Sequence, residues 1–275
     1  MSTFVVSDLH GNFELFLEGL KKIEFSRDDK LYVLGDAIDK GPESISLLQY
    51  IMKADNIDMV LGNHEFMMLN SIDLSGGVEE CRGRDAQLWL YYNGGAKTYD
   101  QYNVLQEPER IALVEWLLSR KLSLPLSIRN DKCADNINVI LTHSCYNPAY
   151  LDRPYADIPY GEAWKIVWKS IFREGMTYCD ISIYERFENT VFITGHVPLQ
   201  RIREEMEDEV EDELDEEEQD HNADDALSPL RVGNLVNIDG GLAYGNYLDN
   251  NGAIFLRLED FKSTVVLLNG REVFS

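Results

Sequence analysis

Cysteine is scarce in this 275-residue chain. There are four, Cys81, Cys133, Cys145 and Cys179, and no two form a C-x-x-C pair. That argues against a cysteine-built zinc module or a disulfide scaffold, and the expectation is reduced thiols in a cytoplasmic protein. None of the four begins a C-x5-R loop, which excludes a cysteine-nucleophile phosphatase, and no D-x-D sequence occurs, which argues against an aspartyl-phosphate enzyme. No apolar run reaches the roughly 18 residues that suggest a membrane span. A strand-like run begins at Thr3, so no leader segment is expected. Positive charge is also short, with 25 Lys and Arg against 49 Asp and Glu and a net charge of −24. Such a surface repels nucleic acid and anionic membranes, and neither is expected as a partner.

Most of the acidic excess sits in one place. Glu204 to Asp225 holds 15 acidic residues and no Lys or Arg. Its like charges repel, so residues 204–229 are expected to form a mobile acidic insertion, with a protein partner as the functional alternative to a solvated loop. The whole chain, 1–275, is expected to be a single domain with that insertion inside it, since 44% hydrophobic content over this length can build a large core.

The patterning alternates. "TFVVSD", "KLYVLGD" and "IDMVLGN" are short apolar runs that predict buried strands, separated by amphipathic helical patterns such as "NFELFLEGLKKIEF" and "ESISLLQYIMKA". The middle reads as helical, including "PERIALVEWLLSR" and "GEAWKIVWKSIF". Strands then return in "LSLPLSI", "INVILTHS", "TVFITGH", "LVNIDGG", "AIFLRLE" and "STVVLLN". The expected fold class is α/β, with two mixed sheets packed face to face and helices outside.

Five histidines occur, and four follow strand-like runs closely: His10, His64, His143 and His196. Asp8, Asp36 and Asn63 have the same placement. In layered α/β folds, ligands gather where strands pass into loops. A mixed nitrogen and oxygen set suits Mn²⁺, Fe or Zn²⁺ better than Ca²⁺. Six such ligands are too many for one catalytic ion that must keep open positions, and suit two ions sharing a carboxylate.

The ordered motifs "SDLHGN", "GDAIDKG", "GNHE", "THS" and "TGH" resemble the calcineurin-like metallophosphoesterases, and within them the PPP phosphatases. Bacterial members of that group include serine/threonine phosphatases and symmetrical dinucleoside tetraphosphatases, whose tail "VNIDGGLAYG" also resembles. The resemblance implies two divalent ions, Mn²⁺ first, with Asp8 and His10 on one, Asn63, His143 and His196 on the other, and Asp36 bridging. It implies a metal-bridging hydroxide as nucleophile, His64 as general acid and Asp39 as its orienting partner.

The pattern departs from the family at its cations. Lys40 stands where arginine follows the second aspartate, Leu61 stands before "GNHE" in place of arginine, and the later "WxR" run reads Trp168-Lys169-Ser170. Arginine grips phosphate with two parallel hydrogen bonds, lysine with a point charge. Lys40 is the candidate phosphate ligand, and Lys169 and Arg173 are candidates to replace the later arginine. Trp89, Tyr91, Tyr92 and Tyr99 read as core rather than as a base-stacking surface. The leading expectation is a serine/threonine-type phosphomonoesterase acting on a phosphoprotein or nucleotide. The alternatives are a symmetrical dinucleoside tetraphosphate hydrolase and a degenerate phosphatase serving as a binding or regulatory module.

Overall fold

The computed structural model describes residues 1–129, 136–170, 184, 186–187, 189–211, 226–248 and 250–268. Cys133, Arg173 and Cys179 lie outside them. Two five-stranded sheets form the frame. The first contains β1 (Thr3–Val6), β2 (Lys30–Leu34), β3 (Ile57–Val60), β9 (Gly252–Arg257) and β10 (Ser263–Leu267), in the order β10-β9-β1-β2-β3. The second contains β4 (Ser123–Arg129), β5 (Asn136–Thr142), β6 (Thr190–Thr194), β7 (Leu230–Val232) and β8 (Leu235–Asn237), in the order β4-β5-β6-β8-β7.

Each sheet carries three adjacent parallel strands. They are β1-β2-β3 in one and β5-β6-β8 in the other, with antiparallel partners at the edges. The late strands do not all join one second sheet: β9 returns to pair with β1, and β10 pairs with β9.

Side-chain alternation explains the layering. Val5, Leu34, Val60, Val139, Leu141, Val191, Ile193, Val236, Ile254 and Leu256 meet between the sheets. Their neighbours Phe4, Val6, Leu31, Val33, Ala253 and Phe255 face a larger cluster built with the helices. On the far side of the second sheet, Ile140, Phe192 and Leu235 pack with Tyr146 and Tyr184. Each fully buried aliphatic or aromatic side chain contributes about 1.5–3 kcal/mol, so the cluster between the sheets holds them in fixed relation.

Helices α1 (Phe13–Lys22), α2 (Ser44–Lys53), α3 (Asn63–Leu69), α4 (Gly95–Asn103), α5 (Glu107–Ser119) and α6 (Tyr160–Trp168) follow in chain order, with a π-helical turn at Leu88–Tyr92. Residues 204–211 of the acidic run continue a helix, α7 (Leu199–Glu211), rather than starting a loop. The rest of the run, 212–225, lies outside the described residues. No helix among the described residues is long and apolar enough to cross a membrane. Cys145 is disulfide-bonded, so the expectation of reduced thiols fails there.

Candidate metal centre

All six parallel strands end at the same place. One to three residues past each end comes a polar side chain: Asp8 after β1, Asp36 after β2, Asn63 after β3, His143 after β5, His196 after β6 and Asp239 after β8. All but His196, which is partly buried, are buried. The backbone turns sharply to aim them. Asp8, His10, Asp36, Asp39, Lys40 and His196 all adopt positive φ, at 44° to 73°. For an L-residue this conformation costs about 1–2 kcal/mol, and such strain clusters at functional sites. Two glycines permit the close approach: a Cβ on Gly62 would collide with the Asp36 carboxylate, and one on Gly195 with Ser7 and Asp8.

Two groups of ligand-type atoms converge, each with its atoms within 4.8 Å of one another: His10–Asp36–His64 and Asp36–His143–His196. Asp36 belongs to both. Its Oδ1 lies 3.5 Å from His143 Nε2, while its Oδ2 lies 3.9 Å from His10 Nε2 and 3.8 Å from His64 Nε2. Asn63 completes the second group, with its Oδ1 3.0 Å from both His143 Nε2 and His196 Nδ1. Asp8 belongs to neither triad; its Oδ2 accepts from the Ser7 hydroxyl and from the His196 N–H (3.0 Å).

The tautomers show what this arrangement fits. His10 Nδ1 lies 3.1 Å from the Ile38 carbonyl, and His143 Nδ1 lies 2.7 Å from the Leu34 carbonyl. A carbonyl only accepts, so each Nδ1 carries the proton and each Nε2 presents a lone pair inward. Burial holds His10 and His143 well below the usual imidazole range, and His196 is pushed down to about 4, again chiefly by burial. Neutral His143 Nε2 and Asn63 Oδ1 are therefore two acceptors 3.0 Å apart, which fits a cation between them. The carboxylates need one too. Asp8 is raised well above its usual range by burial and the charge of Asp239, and Asp36 by burial and the charge of Asp8. Asp239 itself is pushed up to about 7 by burial.

Glu65 sets the position of Asp36. Its carboxylate accepts from the backbone N–H groups of Asp36 (2.9 Å), Ala37 (2.8 Å) and Gly62 (2.9 Å), and it is fully buried. It closes one half of a capping box on α3 while fixing the turn after β2. Beside it, His64 donates its backbone N–H to Asp36 Oδ1 (3.0 Å) and sets its Nδ1 2.6 Å from Asp39 Oδ2. Burial pushes Asp39 up to about 7 and His64 down to about 3. Both shifts oppose separate charges on the pair, and the ring presents Nε2 toward Asp36.

The cations fall differently. Lys40 follows Asp39 and packs against Gly94, and its charge acts on Asp39, His64 and His10. Leu61 is fully buried in the helix-side core, so the position where the family carries arginine is apolar packing here. Trp168 stands edge-on to His196, with ring centroids 6.2 Å apart, and its backbone bonds the His196 ring. Trp89 is fully buried and Tyr99 is packed against it, but Tyr91 and Tyr92 are 78% and 77% exposed, contrary to the expectation of core.

Sequence reasoning gave no role to Asp239, Glu65 or Thr98 and read Trp89 only as core. Asp239 carried a usable signal: like Asp8 and Asp36, it is an aspartate two residues past a strand.

The sequence profile of calcineurin-like phosphoesterases matches residues 1–228. The chain belongs to that family. It is 26% identical over 181 residues to the symmetrical bis(5'-nucleosyl)-tetraphosphatase of Cronobacter sakazakii, covering 58% of this chain and 56% of that protein. The protein of the same description from Buchnera aphidicola is 26% identical over 152 residues, covering 54% and 46%. The chain thus spans about half the length of the curated relatives it matches. Among solved structures, a protein serine/threonine phosphatase from Saccharomyces cerevisiae superposes with a TM-score of 0.54 at 15% identity, covering 96% of this chain and 78% of that one. A cold-active protein tyrosine phosphatase superposes at 0.50 and 15%, covering 96% and 80%. These likenesses show the fold, the two-sheet metallophosphoesterase sandwich with helices outside.

Proposed function

We propose that the chain is a dinuclear metal-dependent phosphoester hydrolase, a serine/threonine-type phosphomonoesterase. The observation that carries this is a single carboxylate, Asp36, common to two convergent ligand groups, with a histidine–aspartate pair directly beside it. His10, with Asp8 at its rim, would hold one ion; Asn63, His143 and His196 would hold the other; Asp36 would touch both. Mn²⁺ is the first choice, and Fe or Zn²⁺ also suits these nitrogen and oxygen donors. When bound, such ions supply an acidified water and neutralise charge on the phosphoryl oxygens.

The chain's own residues supply the rest. Asp36 and the histidines fix the geometry. His64 gives its Nε2 proton to the leaving oxygen as the P–O bond breaks, while a water oxygen forms the new P–O bond. Asp39 keeps the Nδ1 side of the ring engaged, so the ring cannot turn away. Lys40 adds positive charge on the same side and is the proposed phosphate contact. Lys169, next to the Trp168 backbone that bonds His196, is a second candidate.

A second reading is symmetrical dinucleoside tetraphosphate hydrolysis, favoured by the activity named for the curated relatives. One assay separates the readings. The Mn²⁺-loaded chain is offered p-nitrophenyl phosphate, a phosphoserine peptide and diadenosine tetraphosphate, with metal content measured on the same sample. Phosphate release from the first two supports the monoesterase. Formation of two ADP without peptide turnover supports the tetraphosphatase. No turnover of any of them by a fully loaded sample overturns hydrolysis and leaves a binding module.

A further inference from the structure

The partner of the general acid is itself held from outside both sheets. Asp39 is fully buried, and each of its oxygens is engaged. Oδ2 accepts the Trp89 Nε1–H at 2.8 Å as well as facing His64 Nδ1 at 2.6 Å. Oδ1 accepts the Thr98 hydroxyl at 2.6 Å. The Asp39 N–H points at the hydroxyls of Ser44 (2.9 Å) and Thr98 (3.2 Å), which lie 3.0 Å from each other. Trp89 comes from the π-helical turn and Thr98 from α4, so one connected stretch, Leu88 to Asn103, delivers both donors. The indole has room because residue 95 is glycine: a Cβ there would overlap the ring.

A carboxylate can rotate, and its two oxygens are chemically equal. With only His64 as partner, Asp39 could exchange oxygens or tilt, and the imidazole would follow. Donors on both oxygens remove that freedom. They also hold Asp39 Oδ2 against His64 Nδ1, and so keep the far ring nitrogen, Nε2, turned toward Asp36.

We propose that Trp89 and Thr98 are positioning residues for proton donation to the leaving group, acting through Asp39 on His64. This rests on the phosphoester hydrolase reading. It adds that the stretch 88–103, which contributes no strand to either sheet, governs one chemical step.

The test uses leaving groups of different need. p-Nitrophenolate leaves readily without a proton, whereas an alkoxide such as that of glycerol 2-phosphate needs one. Trp89→Phe removes the N–H and keeps the ring; Thr98→Val removes the hydroxyl and keeps the volume. In the full-length Mn²⁺-loaded chain, each variant should lower kcat on the alkyl ester by about tenfold more than on the aryl ester, at unchanged KM and metal content. Thr98→Ser should restore the Thr98→Val loss. An equal loss on both esters, or no loss, overturns the proposal. A second readout needs no turnover: the His64 Nδ1–H proton in the 2.6 Å contact should give a far-downfield NMR resonance that broadens or moves upfield in both variants. Its persistence unchanged would also overturn the proposal. Should Trp89→Phe fail to fold, Thr98→Val carries the test. A wild-type chain inert toward both esters refutes the hydrolase reading instead, and the NMR result still decides whether the clamp operates.

Discussion

The two sheets supply the candidate centre unequally. Both end three parallel strands at one rim, and both contribute a buried aspartate beside that rim. The first sheet sends out longer exits and brings Asp8, His10, Asp36, Asp39, Lys40, Asn63 and His64. The second brings two imidazoles, His143 and His196, with Asp239 behind them. The shared carboxylate and the His64–Asp39 pair, proposed as proton donor, lie on the first sheet, and the second completes one ligand group. Among the described residues, the bonds that join them include His196 N–H to Asp8 and His143 Nδ1–H to the Leu34 carbonyl. On the proposed mechanism the first sheet thus carries the reactive groups, and the second holds two imidazoles in place.

The largest expected effect breaks both halves at once. Asp36→Asn removes the residue common to the two groups, and both metal content and turnover should fall to background. His196→Ala disturbs only the second group, so metal content should drop toward one ion per chain. Equal losses in the two variants, read by elemental analysis after gel filtration, would contradict the asymmetry. Next comes His64→Ala, which should leave both ions bound yet slow an ester with a poor leaving group by about 10²–10⁴-fold. Loss of metal in that variant would make His64 a ligand, as its place in the first triad allows.

Glu65→Gln is smaller. It replaces an acceptor of three backbone N–H groups by an amide whose NH₂ cannot accept. Metal affinity or activity should fall by about 10–100-fold, typical of losing a group that orients a metal ligand. Retention of wild-type affinity in a calorimetric titration would show that Asp36 holds its place without it.

The smallest effect is on protons. The metal-free carboxyls are raised, Asp239 to about 7, while the histidines are pushed below their usual values, His196 to about 4. Cation binding favours ionised carboxylates, so a raised carboxyl must lose its proton on binding. Affinity should therefore weaken as pH falls below about 7, and the carboxylates rather than the histidines should release the protons. Calorimetry in buffers of different ionisation enthalpy should find more protons released at about pH 6 than at about pH 8. Equal release at both would show that the raised carboxyls are not the source of the protons.

Much of the rim was legible because its code is local. A short apolar run followed within three residues by Asp, Asn or His declares both a strand and what stands at its end, and the spacing survives any change in the surrounding fold. The two-layer architecture was legible for the same reason, since period-two burial in "TFVV" and "NVIL" demands packing on both faces. Long-range pairing was not. Nothing local in "AIFLRLE" says that it returns beside β1, more than 240 residues earlier. Tyr91 and Tyr92 share composition with buried Trp89, yet the π-helical turn leaves them in solvent.

The sequence alone determined the donor atoms: which strand ends carry oxygen, which carry nitrogen, and that arginine is absent from the family's positions at Lys40 and Leu61. Only the tertiary structure decided how those atoms are governed. Glu65 reaches back 28 and 29 residues to fix the turn at Asp36, and Trp89 and Thr98 reach 50 and 59 residues to hold Asp39. Such contacts leave no periodic trace, because a buried carboxylate takes its donors from whatever chain the core packs against it.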